Sequence, residues 1–200
     1  YVETKLSRYG RSAFGILPTS EVIWPSAMGG RPAVDAFWSS PRLFDTANRA
    51  FRQDRVFTPL NLIPHDHVAR PDVIHWTTVL PIHVPRAANL YTIHDLIPLR
   101  LPHTTLDNKR VFLSLCKQVA RKADHIVVVS ETTRDDVIRL LGIEPDRVTN
   151  TYQSVSVPAA LLRRSDEDVA AELDGIFNLG WKDYFLYYGA IEPKKNLARI

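Results

Sequence analysis

The sequence predicts an α/β fold: a Rossmann-like, mainly parallel sheet flanked by helices. Three observations carry that prediction. HIVVVS at residues 125–130 contains an isoleucine and three valines in a row, as expected of a strand buried on both sides in a parallel sheet. The stretch before it, LDNKRVFLSLCKQVARKAD, repeats Val111, Leu115, Val119 and Ala123 every fourth residue, with Phe112 and Cys116 beside them. That spacing is one apolar face of a helix. From residue 72 onward, strand-like and helix-like stretches alternate, which is the pattern of α/β architecture.

The elements follow in order. The first seventy residues are irregular. LPTSEVIWPSAMGGRPAV is punctuated by Pro, Gly and Ser and reads as loop, and ANRAFRQDRVF reads as a short helix. DVIHW is a short strand. NLYTIHD is a stronger one, because Leu90, Tyr91, Thr92 and Ile93 are rich in β-formers. After the helix and HIVVVS, TTRDDVIRLLG reads as a second helix. Thr132 and Asp135 have capping-box spacing, and Gly142 with Pro145 supplies the stop. RVTNTY is a further strand and DEDVAAELDG a short helix. YFLYYG is expected to be the last strand and NLARI the start of a helix.

Composition narrows the function classes. The chain is 45% hydrophobic and 24% charged, ordinary for a globular protein. A formal charge of +3 and a pI of about 9.1 are too mild to indicate a nucleic-acid partner, which needs a clustered basic stripe. Cys116 is the single cysteine, so no intramolecular disulfide can form. Its place in a helical pattern reads as a small buried hydrophobe in a reducing compartment. No apolar run approaches the roughly 18 residues of a membrane span. The first residue is Tyr1 rather than methionine, and the N-terminus is expected to be incomplete.

Ligands of open α/β sheets bind beyond the carboxyl ends of strands, and three polar clusters are expected there. His94 and Asp95 end one strand. The histidine can bond a sugar hydroxyl or act as acid or base, with Asp95 orienting it; equally, Asp95 can cap the loop while His94 packs. Ser130 and Glu131 end the next strand, either lining the cleft or starting a helix. Gly189 through Lys195 follow YFLYYG. Gly189 permits close backbone approach, and Lys194 and Lys195 near a helix start favour a phosphate, or they form a solvated basic loop. His65 and His67 flank Asp66 in a proline-bounded loop, which lacks the paired ligand spacings of a zinc site, so no metal site is expected. A phosphate-binding P-loop, a G-x-G-x-x-G turn and a G-x-S-x-G elbow are all missing from the sequence.

Taken in order, YTIHDLIPLRLP, ADHIVVVSETTRDDV with RVTNTY, and YFLYYGAIEPKKNLARI resemble glycosyltransferase family 4, the retaining nucleotide-sugar enzymes of the GT-B fold, over Pro71 to Ile200. The resemblance implies two Rossmann-like domains facing across a cleft. Residues 1–160 would be the acceptor-side domain, 161–182 the connection, and 183–200 the first strand and loop of a donor-binding domain. YVETKL would be the helix after a glycine-rich loop, and the family's E-x7-E pair would lie beyond KKN, so the 200 residues alone are expected to be inactive. His94 matches the family histidine that reaches the donor sugar, with Asp95 beside it. Lys195 matches the lysine on the donor diphosphate, with Lys194 and Gly189 in the same loop. Fixed positive charge there stabilises the leaving nucleoside diphosphate more in the transition state than in the ground state. Ala190 departs from the pattern, standing where many relatives carry arginine.

The implied partners are a nucleotide-sugar donor and a saccharide or lipid-linked acceptor, without a cofactor, metal or nucleic acid. The implied place is the cytoplasm, free or peripheral at the inner face of the membrane, in polysaccharide biosynthesis. A non-enzymatic sugar- or nucleotide-binding module with the same fold is the alternative. Sugar, nucleotide, acceptor and oligomeric state are not written in the sequence.

Overall fold

The structure, a computed structural model, describes the backbone of residues 21–23 and 37–39 and, in full, residues 42–62 and 69–199. The HDH loop and YVETKL lie outside the described residues. The chain forms two compact units, Tyr1–Tyr152 and Gln153–Ile200.

In the first unit, β1 (Glu21–Ile23) pairs antiparallel with β2 (Phe37–Ser39). Helix α1 (Leu43–Asp54) follows and buries Ala47, Ala50 and Phe51, the i, i+3, i+4 face expected of an amphipathic helix. Arg55 ends it in the left-handed region, its backbone N–H donating to the Phe51 carbonyl at 3.0 Å, and its guanidinium turns back to donate to the carbonyls of Phe51 (2.9 Å) and Arg52 (2.7 Å), among the last carbonyls of the helix, which need partners beyond the helical ladder. Then come β3 (Thr58–Pro59), β4 (Val73–Trp76), β5 (Ile82–His83) and β6 (Ala88–Ile93). After β6 stand a single helical turn, α2 (Ile97–Arg100), and helix α3 (Lys109–Lys122); β7 (His125–Val128), α4 (Glu131–Leu141) and β8 (Val148–Asn150) complete the unit. β3 and β5 pair in parallel, and β4-β6-β7-β8 form a four-stranded sheet, parallel throughout. The predicted α/β class with its parallel sheet is what the chain adopts.

One core explains the order of elements. Tyr91 and Ile93 of β6, Ile126 and Val128 of β7 and Val148 of β8 pack with Leu115, Cys116 and Val119 of α3 and Val137 of α4. Helices α3 and α4 therefore cover the same side of the sheet. The predicted helical face is the one buried. Burial also pushes the Cys116 thiol up to about 12, because an apolar pocket disfavours the thiolate.

The other side corrects an expectation. β7 is not buried on both faces: Ile126 and Val128 are fully covered, while His125 and Val127 between them are half-buried. Its second face lies among polar pairs, with His125 Nε2 2.8 Å from Thr149 Oγ1 and His75 Nε2 2.7 Å from Thr92 Oγ1. A run of valines fixes strand propensity but leaves open how much lies against each face.

Buried polar groups tie the strands together. Asn89 is 4% exposed. Its Oδ1 accepts from Trp76 Nε1 (3.0 Å) and Val84 N (2.9 Å), and its Nδ2 donates to the carbonyls of Val84 (2.9 Å) and Ala87 (2.8 Å). One amide thus closes the β5–β6 turn and anchors an indole from β4. Tyr91 stacks on Trp76 and donates its hydroxyl to the Ile82 carbonyl at 2.5 Å. Burial first, and the Asp124 carboxylate second, raise the Tyr91 phenol above its ordinary value. His83 is lowered by burial and then by the Lys122 ammonium, which sits over the neighbouring Phe57 ring.

The second unit contains α5 (Ala159–Leu162), α6 (Asp166–Phe177) and 3-10 turns at Pro193–Lys195 and Leu197–Arg199. Ser165 caps α6, its Oγ accepting from Asp168 N at 3.1 Å. Two expectations fail here. YFLYYG is not a strand, and NLARI is a 3-10 turn over its described residues rather than the start of an α-helix. Phe185 and Tyr188 are 99% and 88% exposed. β-forming residues need a neighbouring strand to receive their N–H and C=O groups, and among the described residues of this unit there is none.

Candidate active site

The parallel pairing of β4, β6, β7 and β8 brings their carboxyl ends to one edge. Ile93 of β6 lies opposite Val128 of β7, and Val128 lies opposite Asn150 of β8. The residues just beyond therefore form a row. Thr77 follows β4, His94 and Asp95 follow β6, Ser130 and Glu131 follow β7, and Asn150 ends β8.

Hydrogen bonds join this row in two stretches, one from Thr77 through His94 to Thr133 and Ser130 and one from Glu131 to Asn150, and the chain itself links them at Ser130–Glu131. His94 is exposed, and its Nε2 lies 2.9 Å from the Thr77 carbonyl. A carbonyl oxygen only accepts, so Nε2 carries the hydrogen in that contact. In the neutral ring Nδ1 is then an acceptor, and among the described residues nothing bonds it. The His94 backbone carbonyl accepts from Thr133 Oγ1 at 3.1 Å. Asn150 Nδ2 donates to Glu131 Oε1 at 2.7 Å.

Asp95 takes the local role that its loop position suggested. Its Oδ1 accepts from Ile97 N at 3.0 Å, fixing the turn into α2, where Leu96 and Pro98 are buried. Ser130 is the N-cap of α4, accepting from Thr133 N at 3.1 Å. The expected capping box at Thr132 and Asp135 is thereby replaced by a cap two residues earlier. Gly142 closes the same helix at φ +67°, a left-handed value that suits glycine. Asp136, 5% exposed, accepts from Arg100 and Arg139 at 3.0 Å each.

A groove of about 440 Å³ opens beside the N-terminal end of α3. Phe51, Phe112 and Leu115 give it apolar walls, and Asn48, Arg52 and Asp107 give it polar ones. Leu106 on its rim is fully exposed.

The lysine loop belongs to the second unit. Gly189 has φ +117°, where a side chain would be strained. The Tyr187 hydroxyl donates to the Ala190 carbonyl at 2.5 Å. Lys194 pairs with Glu192 at 2.9 Å, while Lys195 is exposed. Both lysines stand in a 3-10 turn rather than at an α-helix N-terminus, so the dipole argument for an anion there does not hold, and the charge of the lysines remains. Among the described residues no three His, Cys, Asp or Glu side chains gather as a metal site does.

Four residues that form or brace this row were passed over by sequence reasoning: Thr77, Thr133, Asn150 and Asp136. The first and third sit at strand ends, the same signal that singled out His94. Thr133 stands three residues after a cap. Asp136 carried no local signal.

The family described as Glycosyltransferase Family 4 matches residues 21–156. The chain belongs to that family. Over 122 residues it is 29% identical to O-antigen chain mannosyltransferase B of Escherichia coli, a match covering 60% of this chain and 31% of that protein. Over 106 residues it is 24% identical to O-antigen chain mannosyltransferase RfbU of Salmonella typhimurium, covering 53% of this chain and 26% of the relative. The matches thus span less than a third of each relative. No solved structure gives a significant match. The family match ends four residues past Tyr152, the last residue of the first unit, so it includes the whole carboxyl-edge row and stops before the lysine loop.

Proposed function

We propose that the protein is a retaining glycosyltransferase of GT-B type, moving a sugar from a nucleoside diphosphate to an acceptor hydroxyl. The observation that supports this best is His94, exposed at the carboxyl edge on a braced loop, with Nε2 committed to Thr77. Its Nδ1 is left as an acceptor for a donor-sugar hydroxyl, and a histidine so held recognises a sugar without itself being consumed. Asp95 shapes the loop that carries it.

Lys195 and the Gly189 turn are assigned to the donor diphosphate. Lys194 shares its charge with Glu192, so Lys195 is the principal contact. Its charge opposes the negative charge that builds on the diphosphate as the bond to the sugar breaks, and a group acting on that developing charge raises turnover. This reading calls for no resident metal or cofactor. The groove at α3 is assigned to the acceptor, with Asn48 and Arg52 as polar anchors over an aromatic floor, a mixture suited to saccharide rings. The relatives' names make mannose the first sugar to try and a polysaccharide chain the first acceptor. Among the described residues no helix is long and apolar enough to cross a membrane; a peripheral site at the membrane's inner face suits a lipid-linked acceptor.

Transfer itself is the test. GDP-mannose, UDP-glucose and UDP-N-acetylglucosamine are offered with saccharide and lipid-linked acceptors, and the product anomer is read by NMR. An α-product from an α-donor supports the proposal. A β-product removes retention. Nucleoside diphosphate binding by calorimetry on the full-length protein, with no transfer from any donor, returns it to a binding module.

A further inference from the structure

We infer that one face of α4, formed by Ser130, Thr133 and Asp136, is a positioning device that sets the His94 loop. The inference rests on the proposed role of His94. It adds residues that touch no substrate in that reading and act through the loop backbone.

The three residues recur at i, i+3 and i+6, so they stack along one side of the helix and its cap. Their hydrogen bonds run in one direction. The Ser130 hydroxyl donates to Thr133 Oγ1 at 3.0 Å, and Thr133 Oγ1 donates to the His94 carbonyl at 3.1 Å. Ser130 Oγ in turn accepts from Thr133 N at 3.1 Å. Each hydroxyl both gives and receives, and such chains strengthen each bond in them. One helical turn further on, Asp136 accepts from Arg100, the last residue of α2. The segment from His94 to Arg100 is thus held by α4 at both ends, while Asp95 and the buried Leu96 and Pro98 fix its middle.

Capping alone does not account for the arrangement. The helix start is already served when Ser130 accepts from Thr133 N. The cap bond itself does not need the Thr133 hydroxyl, and the hydrogen that hydroxyl donates goes to another element, thirty-nine residues away in sequence. Asp136 is equally in excess of helix needs, because a carboxylate this buried carries a desolvation penalty that only its arginines offset. One of those arginines belongs to the loop. Small displacements of a reacting group lower rates steeply, a 1 Å error reaching about a hundredfold, so bracing at both ends of a short loop matters to turnover before it matters to binding.

The experiment compares Thr133→Val, Thr133→Ser and Asp136→Asn with the parent protein. Amide hydrogen exchange of residues 94–101 is followed by mass spectrometry, and kcat and donor KM are measured with GDP-mannose or whichever of the three donors is used. In Thr133→Val, exchange of this loop rises about tenfold or more, while β6 and β7 keep their protection. The kcat falls about tenfold to a hundredfold with donor KM within about twofold. Thr133→Ser, which keeps the hydroxyl, restores both. Asp136→Asn loosens the Arg100 end of the loop first. Unchanged loop exchange in Thr133→Val overturns the inference, as does a Thr133→Ser variant no better than Thr133→Val. If the parent transfers no sugar, exchange still decides whether α4 holds the loop, and the failure then belongs to the proposed function. Altered exchange with kcat unchanged in an active parent overturns the positioning role.

Discussion

The hydroxyl of Thr133 donates to the backbone carbonyl of His94 at 3.1 Å, joining the first turn of α4 to the end of β6. The bond spans two neighbouring strands, and it holds the main chain of His94 rather than its ring. The imidazole is left to the Thr77 carbonyl on one nitrogen and is open on the other. This division separates what keeps the loop in place from what the loop presents, and it makes the consequences of substitution separable too.

His94→Ala removes the ring but leaves the carbonyl that Thr133 holds. Turnover is expected to fall about tenfold or more, the loss of a hydrogen bond that orients the donor sugar, with thermal unfolding unchanged within a few degrees. Steady-state kinetics and calorimetry on one sample check both halves. A collapsed melting temperature returns His94 to a structural role.

In the full-length enzyme of the proposed function, Lys195→Ala is expected to lower kcat/KM for the nucleotide sugar by about 10- to 100-fold, the loss of one charge-assisted hydrogen bond. Lys194→Ala has the smaller effect, because that lysine already pairs with Glu192. Equal kinetics for parent and Lys195→Ala make the loop a solvated basic turn and nothing more.

Asn89→Ala strands the Trp76 indole N–H, the Val84 N–H and the carbonyls of Val84 and Ala87, all of which bond this one side chain. Unsatisfied buried groups cost about 1–3 kcal/mol each, so a total loss of about 3 kcal/mol or more is expected once water reaches the more open of them. Urea titration gives the number, and a loss under about 1 kcal/mol shows that solvent replaces the amide.

Cys116 should resist thiol reagents in the native protein and react on unfolding. Its thiol is raised from 9.0 to about 12 by burial. A raised folded value means that the contribution is complete below about pH 9. It is lost as pH climbs toward 12, because only the unfolded chain ionises freely there. Denaturant midpoints across alkaline pH, for parent and Cys116→Ala, isolate the slope due to this group. Identical slopes in the two proteins contradict it.

Much of the first unit was legible because its signals are local. The fourfold repeat in α3 and the β-forming runs of β6 and β7 are properties of ten or fifteen consecutive residues, and Ser130 and Gly142 begin and end a helix through bonds within one turn. Even so, Ser130 took the cap that spacing alone gave to Thr132. Only Thr132 has an acidic residue three positions on, yet where β7 releases the chain decides for Ser130.

The sequence by itself determined the class of fold, the helix faces, the family and the candidate histidine, since periodicity, caps and ordered motifs are written along the chain. Only the tertiary structure decided that Thr77 and Thr133 bond His94 and that Asn150 bonds Glu131 along one edge, for that depends on which strands lie side by side. It also decided that YFLYYG is no strand. The physical reason is shared: a strand, like a site at strand ends, is completed by hydrogen bonds to residues distant in sequence, and no local pattern supplies the partner.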